Sequence, residues 1–102
     1  MDGSLIVDGL LSETGVRDEF EGDYYDLEGL GVSAELRDRI EKWLEGYARA
    51  TYRSFRDGSV NEELDKEGLE ITRQLAEELK TFRVRYYSNA LLKYIGPVYR
   101  PK

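Results

Sequence analysis

The stretch SAELRDRIEKWLEGYARATYRSFRD, residues 33–57, decides the fold because its apolar side chains recur every three or four positions. That spacing places them on one face of an α-helix, and Ser33 is a residue type that caps helix N-termini. Asp57-Gly58 predicts the end of this helix, with Gly58 as the left-handed residue that follows it. The stripe, whose Trp43 is expected in the core, consists of Leu36, Ile40, Trp43, Leu44, Tyr47, Thr51 and Phe55.

A second helix is predicted over residues 59–80. Ser59-Val60-Asn61-Glu62 has the Ser-x-x-Glu form of a capping box. The connection of two or three residues to the first helix predicts an antiparallel helical hairpin. Gly68 falls on the apolar stripe, so a close approach of the two helices is expected there. The stripe consists of Leu64, Gly68, Ile71, Leu75 and Leu79.

Beyond the second helix the period of the apolar side chains changes to two. Phe82, Val84 and Tyr86 alternate with Arg83, Arg85 and Tyr87, which predicts a half-buried strand. A second strand is predicted at residues 91–95, and Gly96-Pro97 is expected to close it. The C-terminal region is therefore predicted as a β-hairpin over 82–95 and a tail over 96–102.

The N-terminal 31 residues predict further strands and an acidic segment. Leu5-Ile6-Val7, Asp8-Gly9 and Leu10-Leu11 indicate a short β-hairpin with a type I′ turn, because Asp-Gly supplies the positive φ values of that turn. The pair Tyr24-Tyr25 lies between two glycines and predicts another short strand. Residues 1–102 are thus predicted as a single α+β domain, in which a small antiparallel sheet packs against the two-helix hairpin.

Composition excludes several classes of chemistry. The chain has no cysteine and no histidine, so it offers no thiol nucleophile, no imidazole base and no zinc site of the usual nitrogen and sulfur type. Loops beginning at Asp23 or Asp57 lack the calcium ligands of an EF-hand. We therefore expect no enzyme activity, cofactor or metal. The N-terminus lacks the features of a signal peptide, and we expect a cytoplasmic protein that does not enter a membrane.

The net charge of −6 is unevenly distributed along the chain. Nine acids and one arginine lie between residues 1 and 31, whereas five basic residues and no acid follow residue 80. Two interpretations fit this layout. In the first, the charges form an ordinary solvated face on which arginines of the strands pair with N-terminal acids; in the second, they form a negative lobe that attracts a basic surface. Nucleic acid is an unlikely partner, because the sequence pI is about 4.7.

Acids flank the tyrosine pair, and alternation on a strand would leave one ring partly exposed. Tyrosine is a frequent anchor of protein interfaces. The segment is therefore the candidate protein-binding site, although a core role for Tyr24 and an edge role for Tyr25 explain the pair as well. The candidate residues are Asp18, Glu19, Glu21, Asp23, Tyr24, Tyr25, Asp26 and Glu28.

Residues 22–88 resemble small bacterial immunity proteins of polymorphic or contact-dependent toxin systems. The resemblance rests on LGVSAEL at 30–36, on the spacing of Ile40, Trp43 and Tyr47, on the second helix, and on the VRYY strand at 84–87. It implies an α+β fold and an inhibitor that binds a cognate toxin. The acids around paired tyrosines are also chemically similar to the binding segment of colicin nuclease immunity proteins, whose fold is all-helical; that similarity falls on residues 23–26 and Glu28.

Two functions thus remain open. The first is an immunity or antitoxin-like protein, monomeric or weakly dimeric, that occludes a basic toxin domain, possibly a nuclease, through the acidic segment. The second is a structural or regulatory domain that self-associates through a strand edge or the tyrosine-rich C-terminal hairpin.

Overall fold

The computed structural model describes residues 3–101, so Asp2 of the acidic region and Lys102 of the tail lie outside the described residues. Within that range the chain forms four strands and three helices. The α+β class and the helical hairpin are confirmed. In chain order the elements are β1 (Gly3–Asp8), β2 (Val16–Asp18), α1 (Leu27–Leu30), α2 (Ala34–Tyr52), α3 (Gly58–Glu78), β3 (Phe82–Ser88) and β4 (Lys93–Tyr99).

The sheet is mixed rather than antiparallel throughout. Its strand order is β2-β1-β3-β4, and the central pair β1 and β3 is parallel, with Leu5 opposite Val84. The parallel pair follows from the helical hairpin. Because β2 runs antiparallel to β1, it ends beside the start of β1. Two antiparallel helices then return the chain to that end, where β3 begins with Phe82 opposite Gly3.

The predicted Asp8-Gly9 hairpin is wrong. Strand β1 pairs with Val16–Asp18, and residues 9–15 form a loop in which Leu10-Leu11 is not a strand. The carboxylate of Asp8 accepts hydrogen bonds from the backbone N–H of Leu10 at 3.1 Å and from Arg17 Nε at 3.0 Å. Gly9 packs so closely on the Tyr47 ring that a Cβ would lie 2.6 Å from it. Position 9 is therefore buried beneath a loop and cannot be a hairpin tip.

The helix boundaries differ from the prediction at the turn between the helices. Ser33 caps α2 as predicted, and its Oγ accepts from the backbone N–H of Leu36 at 3.2 Å. However, α2 ends at Tyr52, and Gly58 begins α3 instead of ending α2. Asp57, not Ser59, is the N-cap of α3, because its carboxylate accepts from the first free N–H groups of that helix. Helix α3 ends at Glu78, two residues before the predicted end.

Strand β4 continues through Gly96-Pro97 to Tyr99, so these residues do not close it and much of the predicted tail is strand. An edge strand tolerates both residues, because one side of its backbone pairs with no other strand in the described part of the chain. On that side the N–H that Pro97 lacks is not needed for a hydrogen bond. Gly96 has a φ of 75° and packs against Leu69 of α3. The pair Tyr24-Tyr25, predicted as a short strand, forms only an isolated β-bridge, between Tyr24 and Arg17.

The core lies between one face of the sheet and the two long helices. Trp43 is buried there as expected, and its ring packs edge-on against Tyr47 at 5.0 Å. Gly68 allows a close approach, but to Tyr86 of β3 and not to α2, because a Cβ at position 68 would overlap the Tyr86 ring. The Tyr86 hydroxyl donates to the carboxylate of buried Asp65 at 2.7 Å. The core residues include Leu5, Val7, Leu36, Ile40, Trp43, Tyr47, Ile71, Leu75, Val84 and Tyr86.

Candidate functional site

The acidic segment, defined as residues 18–28, crosses from the end of β2 to α1 through a turn. Asp18 organises this turn, because its carboxylate accepts from the backbone N–H groups of Phe20 at 2.9 Å and Glu21 at 2.6 Å. The Glu21 N–H, followed by the Phe20 N–H, lowers the pKa of Asp18. Asp18 is therefore held ionised as part of the turn, and its oxygens are already occupied.

Three more of the candidate acids have partners within the protein. Glu19 forms an ion pair with Arg83 of β3 at 2.8 Å. Asp26 is the N-cap of α1, and Glu28 pairs with Arg37 of α2 at 3.2 Å. The Glu19–Arg83 pair is an instance of the first interpretation of the charges, in which arginines of the strands pair with N-terminal acids. These acids hold the segment to the sheet and to α2.

Glu21 and Asp23 are different, since both are exposed and neither has a hydrogen bond or ion pair from its carboxylate within residues 3–101. Between the partnered Glu19 and Glu21 lies Phe20, which is 78 % exposed. Phe20 is not among the candidate residues predicted from the sequence. Gly22 could have indicated it, because glycine favours turns, and a turn beside a strand end can direct a neighbouring ring outward. In the structure Gly22 has a positive φ of 81°.

The two tyrosines of the segment are both half-buried, so neither is the fully exposed anchor of the surface. Burial first, and then the negative charge of Asp8, raise the pKa of Tyr24 to about 12. Tyr25 packs against the core, and its hydroxyl donates to Asp18 at 3.4 Å. Burial and the Asp18 charge raise its pKa. Both phenols are therefore neutral at physiological pH, and they support the turn.

Beneath this surface, Asp8 connects three parts of the chain. Besides Leu10 and Arg17, its carboxylate accepts from Nδ2 of Asn89 at 2.8 Å. Burial is the largest single influence on the pKa of Arg17 and lowers it, but the hydrogen bond that Arg17 donates to Asp8 and its contact with Tyr94 outweigh burial, so the pKa is raised. This network joins the end of β1, strand β2 and the turn after β3.

The described part of the chain, residues 3–101, contains no group of three or more side chains arranged to hold a metal ion. Over the same residues, no helix is both long enough and apolar enough to cross a membrane.

Comparison with known families decides the affiliation of the chain. The family model described as Serratia CdiI immunity protein-like matches residues 13–89. The chain belongs to this family. The matched region begins in the loop before β2, contains the acidic segment and all three helices, and ends just after β3. No curated protein and no solved structure matches the chain.

Family membership confirms the resemblance drawn from the sequence and assigns an immunity role in general, with a cognate toxin as the class of partner. Immunity proteins are generally not enzymes, which supports the prediction that this chain has no catalytic activity. The binding role of the acidic segment and the cytoplasmic location remain predictions.

Proposed function

We propose that this immunity protein occludes a basic toxin domain through the acidic segment, with Phe20, Glu21 and Asp23 as the principal contacts. The observation that carries the proposal is Phe20, a phenyl ring exposed beside two carboxylates that have no partner within residues 3–101. An exposed aromatic ring contributes little burial energy to the folding of the isolated protein. A partner surface that covers the ring would gain that energy on binding.

The electrostatics support a basic partner. The net charge is −6, and the free carboxylates of Glu21 and Asp23 project from a turn that Asp18, Asp26 and the Glu28–Arg37 pair hold in place. Such a fixed negative surface accelerates association with a positive one. Burial of the Phe20 ring would add about 1.5–3 kcal/mol to binding before ordering costs.

A nuclease domain is the partner class that suits this charge best. Nucleases hold phosphates on basic surfaces, so an acidic inhibitor can compete with the nucleic acid for the same surface. Inhibition would then consist of occlusion without a chemical step. The family name supports contact-dependent growth inhibition as the setting of this activity.

The test is charge reversal at positions whose side chains make no contact that the fold needs. Asp26 is unsuitable because it caps α1, so we choose Glu21→Lys with Asp23→Lys. The matched control is Glu41→Lys with Glu45→Lys, which makes the same change in net charge on an exposed face of α2. We expect the first variant to associate at least tenfold more slowly with the cognate toxin domain at low salt, and with a weaker salt dependence, in stopped-flow measurements.

The control variant should lose much less association rate, because its substitutions lie outside the acidic segment. Equal losses of association rate in both variants would show that the effect comes from net charge alone and that the acidic segment is not the binding site. Phe20→Ala should act differently: we expect it to raise the dissociation rate and leave the association rate nearly unchanged.

Self-association is the second candidate function, and the turn after β3 provides an observation in its favour. Leu91 and Leu92 are 54 % and 74 % exposed there. The adjacent edge of β4 argues against strand pairing, because Pro97 lacks an N–H and Gly96 departs from the extended conformation. Sedimentation equilibrium with the variant Leu91→Ser and Leu92→Ser distinguishes the two functions, since only a self-associating domain would change in mass.

A further inference from the structure

A cavity of about 600 Å³ opens between the last turns of α2 and the first turns of α3. Its volume is within the range of natural binding pockets. Apolar side chains form its floor: Trp43, Ala50, Phe55 and Leu64. Arg53 on this cavity lies far from the acidic segment, because about 24 Å along α2 separate it from Arg37, which pairs with Glu28.

Three exposed arginines form one rim of this cavity, and we call Arg49, Arg53 and Arg56 the arginine rim. None of the three has a carboxylate within 4.0 Å among the described residues, whereas five other arginines of the chain form ion pairs. The guanidinium group is suited to carboxylates, because its donors form a planar fork. The arginine rim is therefore available to an anionic group from outside.

Four carboxylates also line the cavity, those of Asp57, Glu62, Glu63 and Glu67, and all except Glu62 have a partner among the described residues. Glu63 pairs with Lys66 at 3.7 Å, and Glu67 pairs with Arg39. Asp57 caps α3, and its pKa is lowered mainly by the Val60 N–H and also by the charge of Arg53. The arginine rim thus retains excess positive charge on its side of the cavity.

Asn61 holds the turn at the end of the cavity. Its Nδ2 donates to the carbonyl oxygen of Phe55 at 2.8 Å, which fixes the Phe55 backbone beside the arginine rim.

The turn that forms the end of the cavity is also strained. Ser54 and Phe55 both have a φ of 54°, which is unfavourable for residues other than glycine and especially so for a bulky one. This conformation brings the Phe55 ring to 5.7 Å from Tyr47, where it forms part of the floor. Tyr52, one residue before Arg53, is 79 % exposed. Tyrosine and arginine are the residue types enriched at protein interfaces, which favours a protein over a small molecule as occupant.

We propose that the cavity binds a peptide segment of a protein partner in which an apolar side chain is flanked by carboxylates. The apolar side chain occupies the floor, and the carboxylates pair with the arginine rim. This site has the opposite charge preference to the acidic segment and does not depend on the role proposed for that segment.

Trp43 is the sole tryptophan of the chain and lines the cavity, so its fluorescence reports directly on occupancy. The probe is the peptide acetyl-EDFDE-amide, with acetyl-EDADE-amide and acetyl-KKFKK-amide as controls. We expect a saturable change in Trp43 emission with the first peptide, binding at least tenfold weaker with the second, and none with the third. Salt should weaken the first interaction.

The variant Arg53→Ala with Arg56→Ala should weaken binding of the first peptide at least tenfold, while the control Arg100→Ala, at an exposed arginine of the C-terminal region, should leave it unchanged. Circular dichroism verifies that the double variant is folded. No response of Trp43 to the first peptide, or equal affinity in the double variant, would overturn the proposal. The variant Glu21→Lys with Asp23→Lys should retain peptide binding, so this test and that of the acidic segment fail independently.

Discussion

The substitution Tyr86→Phe tests whether the buried bond between β3 and α3 holds the helical hairpin on the sheet. The Tyr86 hydroxyl is buried and donates to the Asp65 carboxylate at 2.7 Å, and the second oxygen of that carboxylate accepts from Ser88 Oγ at 3.0 Å. The substitution leaves the ring and its packing in place. It removes one donor from a carboxylate that is only 8 % exposed.

The magnitude follows from the charge of the acceptor. A hydrogen bond to a charged group contributes about 1.5–3 kcal/mol, and a buried carboxylate that loses a donor carries its desolvation cost as well. We therefore expect Tyr86→Phe to lower the free energy of unfolding by about 2–3 kcal/mol. In a domain of this size that corresponds to a fall of at least about 8 °C in Tm.

Urea denaturation at pH 7, followed by the fluorescence of Trp43, measures the effect, since the Trp43 and Tyr86 rings lie 6.1 Å apart. Tyr87→Phe is the matched control, because Tyr87 is half-buried on the same strand and its hydroxyl has no hydrogen bond within residues 3–101. We expect the control to change stability by less than about 0.5 kcal/mol. Equal effects of the two substitutions would refute the reasoning and show that Asp65 does not depend on the Tyr86 donor.

Three further predictions concern packing, pH and the helix cap. Gly68→Ala should destabilise the protein by about 1–3 kcal/mol in urea denaturation, because the added methyl group overlaps the Tyr86 ring. This loss should occur although alanine has the better helix propensity. The control is Gly58→Ala, where a Cβ would meet nothing within 4 Å. Burial raises the pKa values of Tyr24 and Tyr86 above their unfolded value near 10, and the pKa of Tyr24 reaches about 12. The contribution of the two phenols to stability is therefore complete below about pH 10. It is lost as the pH rises through the folded pKa values. Urea denaturation at pH 9 and pH 11 should show this loss, and it should be smaller in Tyr86→Phe; an unchanged loss would contradict the assignment to Tyr86. Asp57→Ala should cost about 1 kcal/mol through loss of the α3 N-cap, whereas Ser59→Ala should cost less, and the reverse order would restore Ser59 as the cap.

Much of the candidate site could not be read from the sequence, because its properties depend on residues that are distant in the chain. Glu19 and Glu21 are both acids beside Phe20, yet only Glu19 meets an arginine, and that arginine is Arg83 of β3. Which acids remain free is therefore a consequence of how β3 is placed beside β1. Phe20 itself is exposed because the chain turns at Gly22. A continuous strand over these residues would have alternated their side chains and given a different surface.

By itself the sequence determined the two long helices, strand β3, the N-cap at Ser33 and the family, because each depends on periodicity or on a few neighbouring residues. The helix and strand patterns repeat within a single element, and a cap acts across three residues. Only the tertiary structure decided that β1 and β3 are parallel, that Asp57 and not Ser59 caps α3, and that β4 runs through Gly96-Pro97. Strand pairing has no local code, since any strand can satisfy its hydrogen bonds with several partners, and the choice falls to the packing of the helices on the sheet.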